Sequence, residues 1–287
     1  MKPPPFDYVR VSSVEDAVRA LADAGGDGKI LAGGQSLVPM MALRIARPSP
    51  LVDINRIPGL SGVRQARDGE AVRIGTLTRH AALAGQRQHP LLAEAASWIG
   101  HPAIRSRGTV GGSIAHADPA AEIPVVAAAL DAVIEIAGPA SSREIPASDL
   151  FAGAFETVLA GDEMITSVTF PVPRRWGFAE LARRRGDFGL VTVVAAEAGD
   201  RIRVAVGGTG ATPWRAAGAE DVLAGAGPPG AALTPAVIER AAAAAAAGAP
   251  ASGDLHAPAG FRRAMTVEFT RRALAQLAGA PETEGAR

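Results

Sequence analysis

The chain has 287 residues, with 29 Lys and Arg against 29 Asp and Glu, and no cysteine. That length accommodates one large domain or two to three smaller ones, and it buries enough surface to need no covalent staple. Balanced charge argues against nucleic-acid and anionic-membrane partners, and the lack of cysteine excludes disulfides, thiolate-held iron–sulfur clusters and a catalytic thiol within this chain. The five histidines (His80, His89, His101, His116 and His256) show no metal-ligand spacing. No window approaches the roughly 18 apolar residues of a membrane span, and MKPPPFDY does not read as a signal peptide, so a cytoplasmic protein is expected.

In chain order, Ser12 with Glu15 has the spacing of a capping box, and the apolar positions of VEDAVRALADAG recur at helical period until Gly25. KILAGG reads as a short strand running into a glycine pair, SLVPMMALRIA as a helical turn, and PLVDI as a buried strand. This first αβ unit spans 1–56. A second unit, 57–174, contains the strand AVRIGTLT, the helices LLAEAASWIG and AEIPVVAAAL, and the strands AVIEIAG and DEMITSVTFPVP, with PVPRRWG as its boundary. The third unit, 175–280, opens with GLVTVVAAEAGDRIRVAVGG, two strands joined by a Gly-Asp turn. Two helices follow, TPAVIERAAAAAAAGA with its seven consecutive alanines and AGFRRAMTVEFTRRALAQLAG; strands followed by helices predict an α+β domain. The tail, 281–287, is expected to be disordered.

Two glycine pairs, in ILAGGQSL at 30–37 and RGTVGGSIAHADPAAE at 107–122, carry the chemistry. Glycine lets backbone N–H groups converge on a ligand and tolerates positive φ; ahead of a helix such groups favour a phosphate. Both pairs are expected at strand-to-helix junctions, with hydroxyls at Ser36, Thr109 and Ser113 in support. Neither is a GxGxxG fingerprint or a Walker loop, and the blander reading of each is a tight turn. A diphosphate held between the two is the economical explanation. His116, Asp118 and Glu122 are too few for a metal centre, and Ser113, His116 and Asp118 lie too close in one segment for a catalytic relay. Asp118 is expected to cap a helix beginning near Pro119, with Glu122 in its first turn, where it would accept a ribose or ribityl hydroxyl. The run ARRRGDFG, with Arg183, Arg184 and Arg185, reads as solvated surface or as a rim over a cofactor or partner.

The segments PPPFDY, AGGQSLVP, LVDINRI, HPAIRSRGTVGGSIAHADPAAE, ARRRGDFGLV and DLHAPAGFRR occur in an order that resembles the flavin-binding medium subunits of molybdenum hydroxylases. The similarity is strongest to the medium subunit of aerobic carbon monoxide dehydrogenase and to the flavin subunits of N-heterocycle hydroxylases; the flavin domain of xanthine dehydrogenase is more distant. The resemblance implies an α+β chain: a two-subdomain vanillyl-alcohol-oxidase-type (PCMH-type) FAD-binding fold, then an α+β flavoprotein C-terminal domain. It implies that Ala32, Gly33, Gly34, Gln35 and Ser36 wrap the FAD pyrophosphate and that Thr109, Val110, Gly111, Gly112 and Ser113 complete the cradle. Glu122 matches an acidic position touching the flavin nucleotide, and Ile165 a strand position whose backbone lies near it. Gln35 stands where the carbon monoxide enzymes often carry His, and Ala42 where Lys is common. A cysteine-bound extra cluster, found in some benzoyl-CoA-reducing relatives, is excluded.

The function this implies is electron transfer. A small iron–sulfur subunit would pass electrons from a large molybdenum-cofactor subunit to non-covalent FAD in this chain, and FAD to an external acceptor. The assembly implied is a dimer of heterotrimers, and no residue of this chain need act on the substrate. The alternative is a stand-alone FAD-dependent oxidase or dehydrogenase of the same superfold, which would need substrate-binding side chains over the ring in a chain with one Tyr and three Trp. A third reading, a scaffold that lost FAD, is opposed by the intact glycine pairs.

Overall fold

A computed structural model describes residues 2–66, 69–228, 230–250 and 252–279; the tail 281–287 lies outside the described residues. The first segment runs β1 (Tyr8–Arg10), α1 (Val14–Asp23), β2 (Lys29–Leu31), α2 (Leu37–Ala42) and β3 (Leu51–Asp53). These strands form a parallel sheet in the order β1-β3-β2, with Leu51 facing both Tyr8 and Lys29. The cap of α1 differs from expectation: it is Ser13, not Ser12, and its Oγ accepts the Asp16 N–H at 3.1 Å. A Ser three residues before an acidic side chain occurs in both registers, and the apolar stripe of Ala17, Val18 and Leu21 decides between them by facing the core.

The middle segment runs β4 (Val63–Ala66), β5 (Ala71–Gly75), α3 (His80–Ala84), α4 (Pro90–Trp98), α5 (Pro102–Arg105), α6 (Val110–His116) and α7 (Glu122–Leu130), then β6 (Val133–Ala137) and β7 (Ser142–Pro146). It ends with α8 (Ala147–Leu150), the small hairpin of β8 (Phe151–Gly153) and β9 (Glu156–Thr157), and β10 (Met164–Pro171). Its sheet is antiparallel, in the order β4-β5-β10-β6-β7. Every residue of α7 is buried. A helix apolar on all sides belongs in an interior, and α7 packs on α4 on one side and on the C-terminal sheet on the other.

The last segment is β11 (Trp176–Leu181), β12 (Val191–Ala198), β13 (Arg201–Gly207), β14 (Trp214–Arg215), α9 (Ala217–Ala224), α10 (Pro235–Ala247) and α11 (Ala259–Gly279). The strands are antiparallel in sequence order, and the β12–β13 turn places Gly199 at φ +63°. All of β12 is buried because both faces of this sheet are covered. Val191, Val193 and Ala195 join the core under α9–α11, whereas Val194, Ala196 and Ala198 join the core around α7. Period-two alternation thus splits one strand between two cores. In the alanine run of α10, Ala241, Ala242, Ala245 and Ala246 are buried, and the short side chains let α10 lie close on α9 and α11. Among the described residues no helix is long and apolar enough to cross a membrane.

At Gly177 a Cβ would overlap the backbone of Ala273 in α11, so β11 and α11 are seated directly on each other. Gly177→Ala is therefore expected to destabilise the fold by about 1–3 kcal/mol through overpacking. Urea unfolding measures it, and an unchanged midpoint would contradict this seating.

Candidate functional site

The segment Ala32–Ser36 leaves β2 and enters α2. Gly34 lies in the left-handed region at φ +71°, a conformation that favours glycine. The N–H groups of Gly33, Gly34, Gln35 and Ser36 donate to no acceptor among the described residues. Consecutive unpaired N–H groups around a left-handed residue form a concave anion-binding nest. The Gln35 side chain turns back on its own segment, its Nε2 donating to the Gly33 carbonyl at 3.3 Å.

The second glycine segment is built differently from expectation. It follows α5 rather than a strand, and Thr109 is the N-cap of α6, so Gly111 and Gly112 lie in the first turn of a helix. Its backbone donors from Val110 to Ser113 are already engaged. Val110 N–H donates to Thr78 O (3.0 Å), Gly111 N–H to Thr76 O (2.9 Å), Gly112 N–H to Thr109 Oγ1 (3.1 Å) and Ser113 N–H to Thr109 O (2.9 Å). Gly111 is required by packing, since a Cβ there would overlap the Thr76 side chain. A Cβ at Gly112 would meet only its own cap, Thr109 Oγ1, at 2.7 Å. What this segment has left to offer a ligand is the backbone N–H of Thr109, which has no acceptor among the described residues, and the hydroxyl protons of Thr109 and Ser113.

The two segments touch. A Cβ at Gly33 would overlap the carbonyl oxygen of Arg107, just ahead of the second segment. Arg79 Nη1 donates to that same carbonyl (3.2 Å) and Arg79 Nη2 to Asn55 Oδ1 (2.6 Å). Asn55 Nδ2 in turn donates to Ala32 O (2.8 Å), Leu31 O (3.2 Å) and Asp53 Oδ1 (2.7 Å). Tyr8 Oη donates to Asp53 Oδ2. Burial alone would raise the Asp53 carboxyl, but the hydrogen bonds from Tyr8 and Asn55 hold it below the usual range. Burial lowers the Arg79 guanidinium, and Arg107 lowers it further. Asn55 and Arg79 were not singled out from sequence; the only signal is a polar residue two places beyond a buried strand end, within LVDINRI.

The remaining expected residues lie further along. Ile165 is buried in β10 beside a register irregularity between Ile165 and Ser167, so Thr166 is the extra residue of a bulge. The Thr166 carbonyl accepts Thr76 N–H at 3.0 Å, which ties Ile165 through Thr76 to Gly111. Glu122 opens α7 and is buried, and burial raises its carboxyl well above the ordinary carboxylate range, with the charge of Glu180 adding to that shift. Asp118 does not cap a helix at Pro119: α7 starts at Glu122, and Asp118 Oδ1 accepts Ala120 N–H (2.9 Å) in a turn closed by Ala121 N–H donating to Asp118 O (3.0 Å). His116 rests against Phe155, with ring centroids 5.1 Å apart. Among the described residues no three His, Asp or Glu side chains are grouped to hold a metal. The arginine run is only partly free surface: Arg185 lies 4.3 Å over the Trp98 ring and donates to Ser97 Oγ (3.1 Å), and Arg183 donates to His256 O (3.2 Å).

Residues 4–173 match the family described as FAD binding domain in molybdopterin dehydrogenase, and residues 176–277 the CO dehydrogenase flavoprotein C-terminal domain. The chain is 47% identical over 236 residues to the 6-hydroxypseudooxynicotine dehydrogenase complex subunit alpha of Paenarthrobacter nicotinovorans, covering 78% of this chain and 79% of that one. It is 42% identical to the nicotine 6-hydroxylase medium subunit of the same organism, over 96% of this chain and 98% of that one. Among solved structures, a chain of carbon monoxide dehydrogenase from Hydrogenophaga pseudoflava superposes with a TM-score of 0.88 at 38% identity, over 96% and 98% of the two chains.

The Asn55–Arg79 clamp makes a measurable demand on side-chain shape. Arg79→Lys is expected to cost about 1–2 kcal/mol, nearly as much as Arg79→Ala, because an ammonium does not present the guanidinium fork that reaches Asn55 Oδ1 and Arg107 O together. Wild-type stability in the Lys variant, read by urea unfolding, would show that the fork does not hold these segments.

Proposed function

The chain belongs to the family of FAD-binding flavoprotein subunits of molybdopterin dehydrogenases, and from that premise we propose how its residues hold the cofactor and what it joins. It is an oxidoreductase subunit, the medium FAD-carrying part of a molybdenum-containing hydroxylase; relatives over nearly its full length are themselves subunits of such enzymes, which favours this reading over a stand-alone oxidase. Bound FAD supplies the redox chemistry that connects an iron–sulfur donor to an external acceptor. The molybdenum cofactor and the iron–sulfur clusters belong to other chains of the complex, and this chain has no cysteine with which to hold a cluster.

The observation that carries the site is the row of unpaired N–H groups from Gly33 to Ser36. They fit the anionic oxygens of a pyrophosphate: donors in sequence, no side chain at Gly33 or Gly34, and Ala32 held from behind by Asn55. In our assignment Ala32–Ser36 wrap the FAD pyrophosphate, with Gln35 at the lip. Thr109 and Ser113 add hydroxyl donors, and Val110, Gly111 and Gly112 form the floor. Glu122 and Ile165 lie toward the flavin end of the nucleotide. The FAD-binding subdomains are assigned to 1–56 and 57–174, and the C-terminal domain to 175–280. The complex we propose is cytoplasmic, a dimer of heterotrimers with a small iron–sulfur and a large molybdenum-cofactor chain. Its mass, measured on tagged protein purified from its own host, tests the stoichiometry. Substrate turnover by this chain alone, without metal, would overturn the relay.

FAD is expected to be non-covalent, since the chain has no cysteine and neither Ala32–Ser36 nor Thr109–Ser113 contains a histidine. Acid precipitation should leave the yellow colour in the supernatant; colour in the pellet refutes this. Gly34→Val is expected to lose the flavin while the chain still folds, because a β-branched residue does not adopt the left-handed backbone the nest needs. Flavin content per folded chain, from absorbance and circular dichroism, decides it, and normal flavin content in the variant would remove Ala32–Ser36 from the site.

A further inference from the structure

Helix α2 ends against its own local interest. Leu43 N–H donates to Pro39 O, Arg44 N–H to Met41 O and Ile45 N–H to Met40 O, each at 2.9 Å. The last two bonds are those of a Schellman motif, in which the residue after the cap turns into the left-handed region and the next one frequently packs back on the helix. Glycine is the usual occupant of the turning position. Here it is Arg44, at φ +61°, and the residue that should pack back, Ile45, is 70% exposed. A chain with 33 glycines thus keeps an arginine where the backbone disfavours a side chain, and leaves an isoleucine in solvent beside it. Neither choice serves the stability of this chain alone.

Ile45 is not alone. Leu43 is 58% exposed and Val38 49%, so three large aliphatic side chains of one short helix and its turn face solvent. Arg44 and Arg47 stand on either side of Ile45, both exposed, and neither has a carboxylate within ion-pair distance among the described residues. No acidic residue occurs between Asp27 and Asp53. An apolar centre with arginine at its edge is the composition of a protein docking surface. The patch also adjoins the first glycine segment directly. Val38 N–H donates to Gly34 O at 3.1 Å, and a Cβ at Gly34 would come within 3.2 Å of Val38 Cγ2. A second copy of this chain does not suit the patch. A two-fold contact repeats the same surface on both sides, and would set these arginines against one another with no nearby carboxylate of the segment to answer them.

We propose that the end of α2, with Val38, Leu43 and Ile45 at its centre and Arg44 and Arg47 at its rim, is the surface on which the iron–sulfur subunit docks, through an apolar patch bordered by carboxylates. This rests on the reading of the chain as the FAD-carrying medium subunit. On that reading the iron–sulfur chain is the partner that has to approach FAD, because electron transfer falls off steeply with distance, and α2 begins where the row of unpaired N–H groups ends. The two arginines supply the charge that selects and orients an acidic partner. The strained turn at Arg44 is then kept because it places a cation and two aliphatic side chains, Leu43 and Ile45, side by side at one exposed corner.

The test uses the complex purified from its own host through a tag on this chain. Ile45→Glu sets a like charge against the partner's carboxylates, at a position that is exposed in this chain. The variant is expected to keep its flavin and to lose about tenfold or more of the iron and acid-labile sulfide that co-purify per flavin. Unchanged iron per flavin would overturn the proposal. Arg44→Gly relieves the backbone, so it should melt no lower than wild type and yet release the iron–sulfur chain at a several-fold higher concentration of complex. Full retention in that variant would overturn the proposal as well. A photoreactive amino acid encoded at position 47 identifies the occupant. The cross-linked peptide should belong to the iron–sulfur chain; one from the molybdenum chain or from a second copy, or no cross-link, would overturn the proposal. Wild-type complex that carries iron but no flavin would overturn the reading on which the proposal rests, an outcome separate from both variants.

Discussion

The carbonyl oxygen of Arg107 occupies the place a side chain at position 33 would need. This single close approach joins two segments that are far apart in the chain, and much of the site follows from it. Because the segments are in contact, one guanidinium can serve both, and Arg79 does so by bonding Arg107 O on one side and Asn55 on the other. Because Asn55 uses its amide protons on the carbonyls of Leu31 and Ala32, it steadies the first segment without consuming any of its N–H groups. The nest is therefore held from its acceptor side and left open on its donor side. That division of labour is what a backbone anion site requires.

The two glycine pairs look alike as letters and differ as structures. GGQS follows a strand and keeps its N–H groups unpaired, whereas GTVGGS starts a helix and engages all of its own but that of Thr109. Composition could place glycines near a phosphate, but hydrogen-bond accounting depends on Thr76 and Thr78, which only the tertiary fold brings alongside. The hairpin at 191–207 and the helices at 14–23, 90–98, 122–130, 235–247 and 259–279 were legible from period and turn residues, although the caps expected at Ser12 and Asp118 are not the ones formed. Strand β1 was not: its three residues are all exposed, and parallel pairing with β3 alone defines it. Asp118 misled for a similar reason. Asp ahead of Pro suits a helix start and a tight turn equally, and the buried face of α7 fixes the helix three residues later.

Buried charge is treated in two ways within one chain. Glu197 is matched by guanidinium groups at the junction between β10 and β11. Arg262, buried in α11, donates to the carbonyls of Leu190 and Gly208 and pairs with Asp254 at 2.7 Å, which holds that carboxyl down to about 2. These are neutralised by partners. Glu180, whose Oε1 is buried without a partner, is instead pushed up to about 7 by burial, and His80, whose ring nitrogens have no hydrogen-bond partner among the described residues, is pushed down to about 4.

Helix α7 has no solvent face, because one side belongs to the middle segment and the other to β12 and β13. During synthesis this has a cost in time. When residue 173 has left the ribosome, the middle sheet has all its strands, yet α7 still presents an apolar flank with nothing to cover it. The flank stays bare until residues 191–207 have emerged and paired. Over that interval the nascent chain resembles a hydrophobic ligand more than a finished unit, so an early pause or truncation there would deliver it to chaperones instead of to its partners.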